Sequence, residues 1–478
     1  MYCQYINGRL EEGKGPLLQV TNPADGSLVA EYRAASPEQV GEALEAAQAA
    51  FASWSRASCD ERAAMVLRMR DGMLARRDEL TEVLIKESGK PYDQAFYDVN
   101  AGIQRFTFMT EELRRIYGVT LPDYGTRTGG AYHFVEKRPV GVVVGHVAWN
   151  FPMLNISCKI APTIASGCTG VVKPSRETPL TAMILGEIAA EAELPAGILN
   201  IVTGTSRDLG PCLNSSTIPR MITLIGSTKS GLEVMQQGAT SIKKYSLELG
   251  GNAPVIILPD ADIEEAADLA VAKKTTNAGQ VCVCYNRFYV HESIVEAFVE
   301  AVKKNLPDVV LTTEKKPGRY IMGPLIKRSA REHIQEIIKE ACEQGATLVC
   351  GGEIPADMPA DGNWFTPALL TGVTDDMRIS REELFAPVIA VQTWNDLDDV
   401  IRRSNDTDCG LTSYVFGHDS RALARLSEEL ESGEVYINNA PNGVNLPHGG
   451  IKQSGLGCDN SYFSLEEYYD NKRISLIP

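Results

Sequence analysis

No apolar run in the 478-residue chain reaches membrane-spanning length, because polar residues, glycine or proline interrupt the longest candidates, so no transmembrane helix is expected. The opening residues Met1-Tyr2-Cys3-Gln4-Tyr5-Ile6 lack a basic stretch followed by an apolar core, so no secretory signal is expected. Basic residues are the scarcer sign. Lys and Arg number 46 against 62 Asp and Glu, a net charge of −16, which argues against nucleic acid or anionic membrane as the main partner. It does not exclude a small anionic substrate, which feels its pocket more than the distant surface. The six histidines stand singly and no Cys/His cluster has ligand spacing, so no structural metal site is expected. The 11 cysteines are scattered and odd in number, which suits free thiols in a reducing, cytoplasmic compartment rather than a disulfide framework. No Gly-x-Gly-x-x-Gly fingerprint stands at a strand-to-helix turn, so that motif signals no dinucleotide site. Internal repeats and low-complexity tracts are also absent.

What is there reads as a soluble globular chain, 44% hydrophobic and 23% charged, long enough for two or three domains. Residues 5 to 34 read as short strands and turns. Helical spacing covers 37–56, 59–88 and 92–117. Residues 118–140 alternate Gly, Thr and aromatics and read as a hairpin leaving the main body. From Val140 strands and helices alternate: strands at Gly141–Val147, Gly170–Lys173, Leu199–Thr203 and Arg220–Ile225, a helix at Thr178–Glu193. That alternation implies a parallel sheet with helices on both faces, whose ligands bind beyond the carboxyl ends of the strands. A second alternating stretch runs over 254–440, with strands at Arg287–Val290, Thr347–Val349, Val388–Thr393 and Glu434–Ile437. The tail Lys472–Ile477 reads as a strand free to pair with the 118–140 hairpin or with another subunit.

The chemistry centres on Asn277-Ala278-Gly279-Gln280-Val281-Cys282-Val283-Cys284. A thiol is a strong nucleophile only as thiolate, so its surroundings decide whether it reacts or is a small buried hydrophobe. Two wider glycine spacings follow strands, Gly204 to Gly210 and Gly226-Ser227-Thr228-Lys229-Ser230-Gly231. The second opens a helix whose N-terminal N–H groups suit a pyrophosphate. Seven markers stand in order: Trp149-Asn150-Phe151-Pro152, Lys173-Pro174-Ser175, Gly226-Ser227-Thr228, Glu248-Leu249-Gly250-Gly251, Gly279-Gln280-x-Cys282, Glu382-Glu383-Leu384-Phe385 and Pro447-His448-Gly449-Gly450. Together they resemble the aldehyde dehydrogenase superfamily over nearly the whole chain.

The resemblance implies an α/β fold in three parts. These are a Rossmann-like cofactor domain (1–117 and 141–249), an α/β catalytic domain (250–440) and a small β flap (118–140 and 455–478) that builds a homodimer or homotetramer. It implies Cys282 as nucleophile, Asn150 as oxyanion donor and Glu248 as the base that hydrolyses the thioester. Asp459 aligns with an acidic position that sometimes relays protons. Trp149, Lys173, Ser175, Arg176, Gly204, Gly226, Ser227, Leu249, Glu383 and Phe385 are implied at the cofactor. Arg176 stands where NAD-preferring relatives carry glutamate, so NADP is ranked first, with NAD possible. Ala148, Ile225 and Ala386 depart from the usual residues without removing a catalytic group. The Cys282-Val283-Cys284 pair resembles the succinate semialdehyde dehydrogenase branch, in which the two thiols can form a redox switch. That branch holds the substrate carboxylate with arginines at positions that here carry Cys158 and Thr276. Succinate semialdehyde is therefore the alternative substrate. A pocket of Asn155, Cys158, Cys284, Asn445 and His448 points first to a short polar aldehyde, hydroxylated or anionic. His448 reads equally well as the cap of a turn. A CoA-acylating relative is a further alternative, which the Glu248-type base disfavours.

Overall fold

The computed structural model describes residues 2–124 and 130–477. An eight-stranded sheet runs Arg9–Glu11, Gln4–Ile6, Leu199–Ile201, Thr169–Lys173, Val142–His146, Pro219–Ile225, Lys244–Glu248, Gly455–Leu456. Its five inner strands, from Leu199–Ile201 to Lys244–Glu248, are parallel. In chain order they lie third, second, first, fourth, fifth, so the sheet reverses direction between Val142–His146 and Pro219–Ile225. Such a reversal opens a crevice at the carboxyl ends of the two strands. The run Val142-Val143-Val144 is buried on both faces, as a strand covered by helices on both sides must be. A seven-stranded sheet runs Thr347–Cys350, Ala368–Thr371, Val388–Trp394, Arg287–His291, Pro254–Ile257, Thr412–Phe416, Glu434–Ile437, parallel throughout except at its first strand. Every strand expected in 254–440 is present.

The helix expected over 59–88 is two, Cys59–Ala75 and Arg77–Ser88. Arg76 leaves helical geometry (φ −106, ψ 20), and its guanidinium ties Glu79 and Glu187 at 2.7 and 2.6 Å. The break lets Met69 and Met73 before it and Leu80 and Leu84 after it reach one core. Tyr92–Glu112 is helical, followed by a 3-10 turn to Arg115. Helix Pro152–Ser166 was not read from the sequence; it is buried almost all round, so its polar positions Asn155, Lys159 and Thr163, four residues apart, meet the protein interior instead of solvent. It has no capping side chain of its own. Asp98 on the neighbouring helix supplies one, accepting from Leu154 N at 2.8 Å.

The 118–140 hairpin forms as Val119–Leu121 against Tyr132–Pro139, and the tail strand Tyr469–Leu476 pairs on the other side of Tyr132–Pro139. Residues 125–129 lie outside the described ones. Among the described residues no helix is long and apolar enough to cross a membrane.

Candidate active site

A cavity of about 900 Å³ opens at the carboxyl ends of the first sheet's strands. It collects Trp149, Asn150, Lys173, Ser175, Gly226, Ser227, Glu248 and Leu249 from one side, and Cys282, Cys284, Glu383, Phe385 and His448 from the other. Asn155 and Cys158 line it from helix Pro152–Ser166.

The loop that presents Cys282 is strained. Asn277 (φ 49), Ala278 (φ 53) and Gly279 (φ 73) are all left-handed. Left-handed backbone costs a non-glycine residue roughly 1–2 kcal/mol, so the surroundings must enforce it. Asn277 Nδ2 donates to Asn150 O at 2.9 Å and to Gln280 O at 3.1 Å, and Gln280 Nε2 returns a bond to Asn277 O at 2.9 Å. At Gly279 a Cβ would lie 2.3 Å from Ala386 O, so only glycine fits. On the far side of the cysteine, Tyr414 Oη donates to Val283 O at 2.6 Å.

Asn150 is held at both ends of its amide. Its Nδ2 donates to Gln280 O, and its Oδ1 accepts from Asn155 Nδ2, both at 3.2 Å. An amide nitrogen carries two hydrogens, so one remains for a developing oxyanion.

His448 does more than end a turn. Its Nδ1 meets Glu434 Oε1 at 2.6 Å, its ring hydrogen-bonds the Cys282 thiol, and its Nε2 stands 4.0 Å from Glu248 Oε2. Burial alone would lower its pKa. The bonds to Cys282 and Glu434 and the Glu248 charge outweigh that and raise it well above the usual imidazole value. Glu248 is 3% exposed and neither carboxylate oxygen has a hydrogen-bond partner among the described residues. Burial raises its pKa well above the ordinary carboxylate range, with His448 pulling the other way.

Beneath these groups lies Asp459, an acidic position expected from the resemblance, together with charges that sequence reasoning did not find. Lys159 Nζ donates to both oxygens of Asp459, at 2.7 and 2.9 Å, in a fully buried pair. Lys90 and Asp98 form another at 2.7 Å, and Lys90 also stands 3.6 Å over the Phe151 ring. Arg105 lines the cavity beside Cys158. One signal was available: Asp93, Tyr97, Ala101 and Arg105 recur every four residues, one face of helix Tyr92–Glu112.

At the other end, the Trp149 and Phe385 rings meet edge to face at 5.6 Å, and Phe385 is itself left-handed (φ 48). Lys173 is buried with one hydrogen bond, to Pro174 O at 3.1 Å, and burial lowers its pKa to about 8. Glu383 accepts from Gly251 N at 3.0 Å, and burial raises it to about 7. Ser227 caps helix Thr228–Gly238, accepting from Ser230 N, so the helix's N–H groups face the cavity. A buried lysine and a half-buried carboxylate, each with one hydrogen bond, beside a helix N-terminus fit the ribose hydroxyls and pyrophosphate of a dinucleotide.

Three expected residues fall outside the lining. Arg176 is exposed and turned to Glu177 at 3.5 Å, as a solvated guanidinium next to a carboxylate will be. Gly204 is buried against Leu209, and Ser206 and Gly210 beyond it line the cavity instead. Asn445 is exposed, while Asn442 of the same loop faces inward. Cys284 lines the cavity, but its thiol is turned to Lys273 O at 3.8 Å and to Lys274, away from the His448 side. Each cysteine is a free thiol.

The model of the aldehyde dehydrogenase family matches residues 10–474. The non-phosphorylating aspartate-semialdehyde dehydrogenase of Halomonas elongata is 38% identical over 474 residues, covering 99% of this chain and 95% of its own. The succinate-semialdehyde dehydrogenase of Escherichia coli strain K12, whose name specifies NADP(+), is 37% identical over 98% of this chain and 97% of its own. The crystal structure of an aldehyde dehydrogenase from Brucella melitensis biovar abortus 2308 superposes with a TM-score of 0.95 at 37% identity, over 99% of this chain and 97% of that one.

Proposed function

The chain belongs to the aldehyde dehydrogenase family and is an NAD(P)-dependent aldehyde dehydrogenase; we propose that Cys282, Asn150 and Glu248 carry its oxidation of a short polar aldehyde to the carboxylate. The Cys282 thiolate attacks the aldehyde carbon and forms a C–S bond. The protonated His448 ring lies beside the attacking thiol, and Glu434 holds the ring in place. The second Nδ2 hydrogen of Asn150 and the Cys282 N–H receive the oxyanion. Bound nicotinamide supplies the acceptor for the hydride leaving that carbon. Glu248 then takes a proton from the water that attacks the thioester, the C–S bond breaks, and the carboxylate leaves.

The observation that carries this reading is the Glu248 carboxylate, buried and without a hydrogen bond among the described residues, in the same cavity wall as Cys282. A buried base free to reach water serves hydrolysis, and transfer to a CoA thiol has no use for it. Lys173, Glu383, Ser227, Gly226, Leu249, Trp149 and Phe385 are assigned to the cofactor, NADP with NAD possible, which the NADP(+)-named relative supports. Carboxylate-bearing aldehydes stay within the substrate class, since relatives are named for aspartate, succinate and glutarate semialdehydes.

The domain division given by the markers is kept as part of the proposal. So is assembly through the three-stranded sheet, whose Val119, Leu121, Tyr132 and Leu476 are exposed apolar side chains. A cytoplasmic setting is consistent with the free thiols.

The test is a panel of short aldehydes mixed with enzyme and NADP or NAD, with and without CoA, following reduced nicotinamide and the acid product. Turnover to free acid without CoA is expected. A strict requirement for CoA would replace this reading with the acylating one.

A further inference from the structure

We infer that Arg105 is the residue that binds a negatively charged group on the far end of the substrate, so that the enzyme's preferred aldehydes carry a distal carboxylate or similar anion. The inference rests on the aldehyde dehydrogenase reading and specifies its substrate class.

Arg105 sits on helix Tyr92–Glu112, 9% exposed, and lines the cavity on the side of Asn155 and Cys158. Its side chain is under-partnered for a buried guanidinium with five donors. One Nη donates to Ala101 O of its own helix at 3.1 Å. The group reaches the Cys158 thiol, which burial keeps protonated and therefore neutral. Its Nε is buried with no partner at all.

The carboxylates around it are already occupied. Asp98 is paired with Lys90 at 2.7 Å and caps helix Pro152–Ser166 through Leu154 N. Asp459 is bound through both oxygens by Lys159. These two pairs cancel, and among the described residues no carboxylate forms an ion pair with Arg105, whose charge reaches only the already paired Asp98. An unpaired buried charge is costly unless something completes it. Asp93 also lines the cavity, but it is exposed and twelve residues away on the same helix, about 18 Å along the axis.

The position also fits a short substrate. Asn155 touches the oxyanion donor Asn150, and Cys158, the neighbour of Arg105, lies one helical turn further on, about 5 Å. An aldehyde held at Cys282 with a short spacer would bring its anion towards Arg105. Around that point the lining is polar: Asn155, Asn460 and the Cys158 thiol, which meets Asn460 Oδ1 at 3.6 Å. Here a neighbouring helix delivers the guanidinium into the space that the small Cys158 leaves.

The experiment compares succinate semialdehyde with pentanal, an uncharged aldehyde of similar length, in the parent enzyme, Arg105→Met and Arg105→Lys. A bidentate ion pair in a desolvated site corresponds to roughly 30- to 100-fold in affinity. Arg105→Met is therefore expected to lower kcat/KM for succinate semialdehyde by about that factor, mainly through KM, and to change it for pentanal by less than about threefold. Arg105→Lys should recover part of the loss, because it restores charge without the planar fork. Equal loss on both aldehydes, or no loss on the anionic one, would overturn the inference. A parent enzyme that oxidises pentanal as efficiently as succinate semialdehyde would overturn it too, while leaving the dehydrogenase reading standing. Failure to oxidise either aldehyde, or any other in the panel, would instead remove the dehydrogenase reading beneath it.

Discussion

At the end of the cavity assigned to the cofactor, the buried Lys173 makes one hydrogen bond and the half-buried Glu383 accepts one. At the substrate end most charges are closed into pairs: Lys159 with Asp459, Lys90 with Asp98, His448 with Glu434. Among the described residues, Glu248 and Arg105 stand out there: Glu248 has no hydrogen bond and only the His448 ring at 4.0 Å, and Arg105 has no carboxylate in an ion pair with it. The contrast separates two uses of buried charge. A paired charge fixes shape, because its lone pairs and protons are spent inside the protein. An unpaired one marks where a ligand, a water or a transition state must supply the missing partner. Each prediction below puts one side of that division at risk.

The largest effect is expected at the unpaired carboxylate. Glu248→Gln preserves shape but cannot accept a proton, and loss of a positioned base typically costs about 10²–10⁴-fold. Steady-state turnover should fall by that order while a first burst of reduced cofactor persists, seen by stopped-flow absorbance. The pH profile carries the same signature. Because burial raises the Glu248 pKa, the base is ionised only above the ordinary carboxylate range, so deacylation should rise with pH through that raised value. Linkage has the opposite sign. The folded state holds the proton where the unfolded chain has lost it, so this group's contribution to stability falls as pH rises from about 4.5 toward the folded-state value. Glu248→Gln should remove both dependences. A variant with no burst, or with parental turnover, would show that absence of a partner does not identify the base.

The paired side of the division is tested at Lys159. Lys159→Met leaves the Asp459 charge buried and alone, which costs about 3–5 kcal/mol in comparable pairs. The expected readout is a lower midpoint in urea unfolding at neutral pH. Lys159→Met/Asp459→Leu should recover most of it, since an apolar pair of similar volume replaces the ions. If the single variant is as stable as the parent, the pair is not shaping the site and belongs with the functional charges instead.

How much of this was legible in the sequence follows the same line. Lys173, Ser227, Glu248, Cys282 and Glu383 lie in short motifs, the first three at a strand end or a helix start and the last two in loops just after helical turns. Their local pattern could be read one after another, and the alternation of strands and helices gave the sheet that aligns them. Asp98 and Lys159 have no local pattern to announce them, Arg105 shows only its place on one face of helix Tyr92–Glu112, and Asp459 is reached only through the family resemblance. Asp459 meets Lys159 across 300 residues of chain, and Arg105 reaches Cys158 only because two helices cross. Helix Pro152–Ser166 itself was not read, because Asn155, Lys159 and Thr163 on its polar face turn into the protein, where Asn150 and Asp459 meet them, rather than to solvent. His448 was read as either a pocket residue or a cap, and only the positions of Glu434 and Cys282 decide between them. The hinge at Arg76 was missed for a related reason, because its partners Glu79 and Glu187 lie on different helices.

Arg176 is the intermediate case and carries the smallest effect. The sequence favoured NADP because a guanidinium stands where a carboxylate would repel a 2′-phosphate. In the structure this side chain is 60% exposed, and its only ion-pair partner is Glu177 at 3.5 Å. It is therefore neither a closed buried pair nor an unpaired buried charge. A solvated ion pair is worth about 0–1 kcal/mol, and exposure screens a contact to phosphate in the same way. Arg176→Glu should then lower the ratio of kcat/KM for NADP over NAD by about two- to fivefold, well short of a reversal, and the shift should shrink as salt is raised. A drop of more than tenfold that survives high salt would mean that Arg176 leaves Glu177 and closes onto the phosphate in a desolvated contact. An unchanged ratio would mean that preference between the two cofactors rests on Lys173, Ser175 and the helix N-termini. Both outcomes sharpen the comparison, because they locate the boundary between a surface charge that tunes binding and a buried one that the ligand completes.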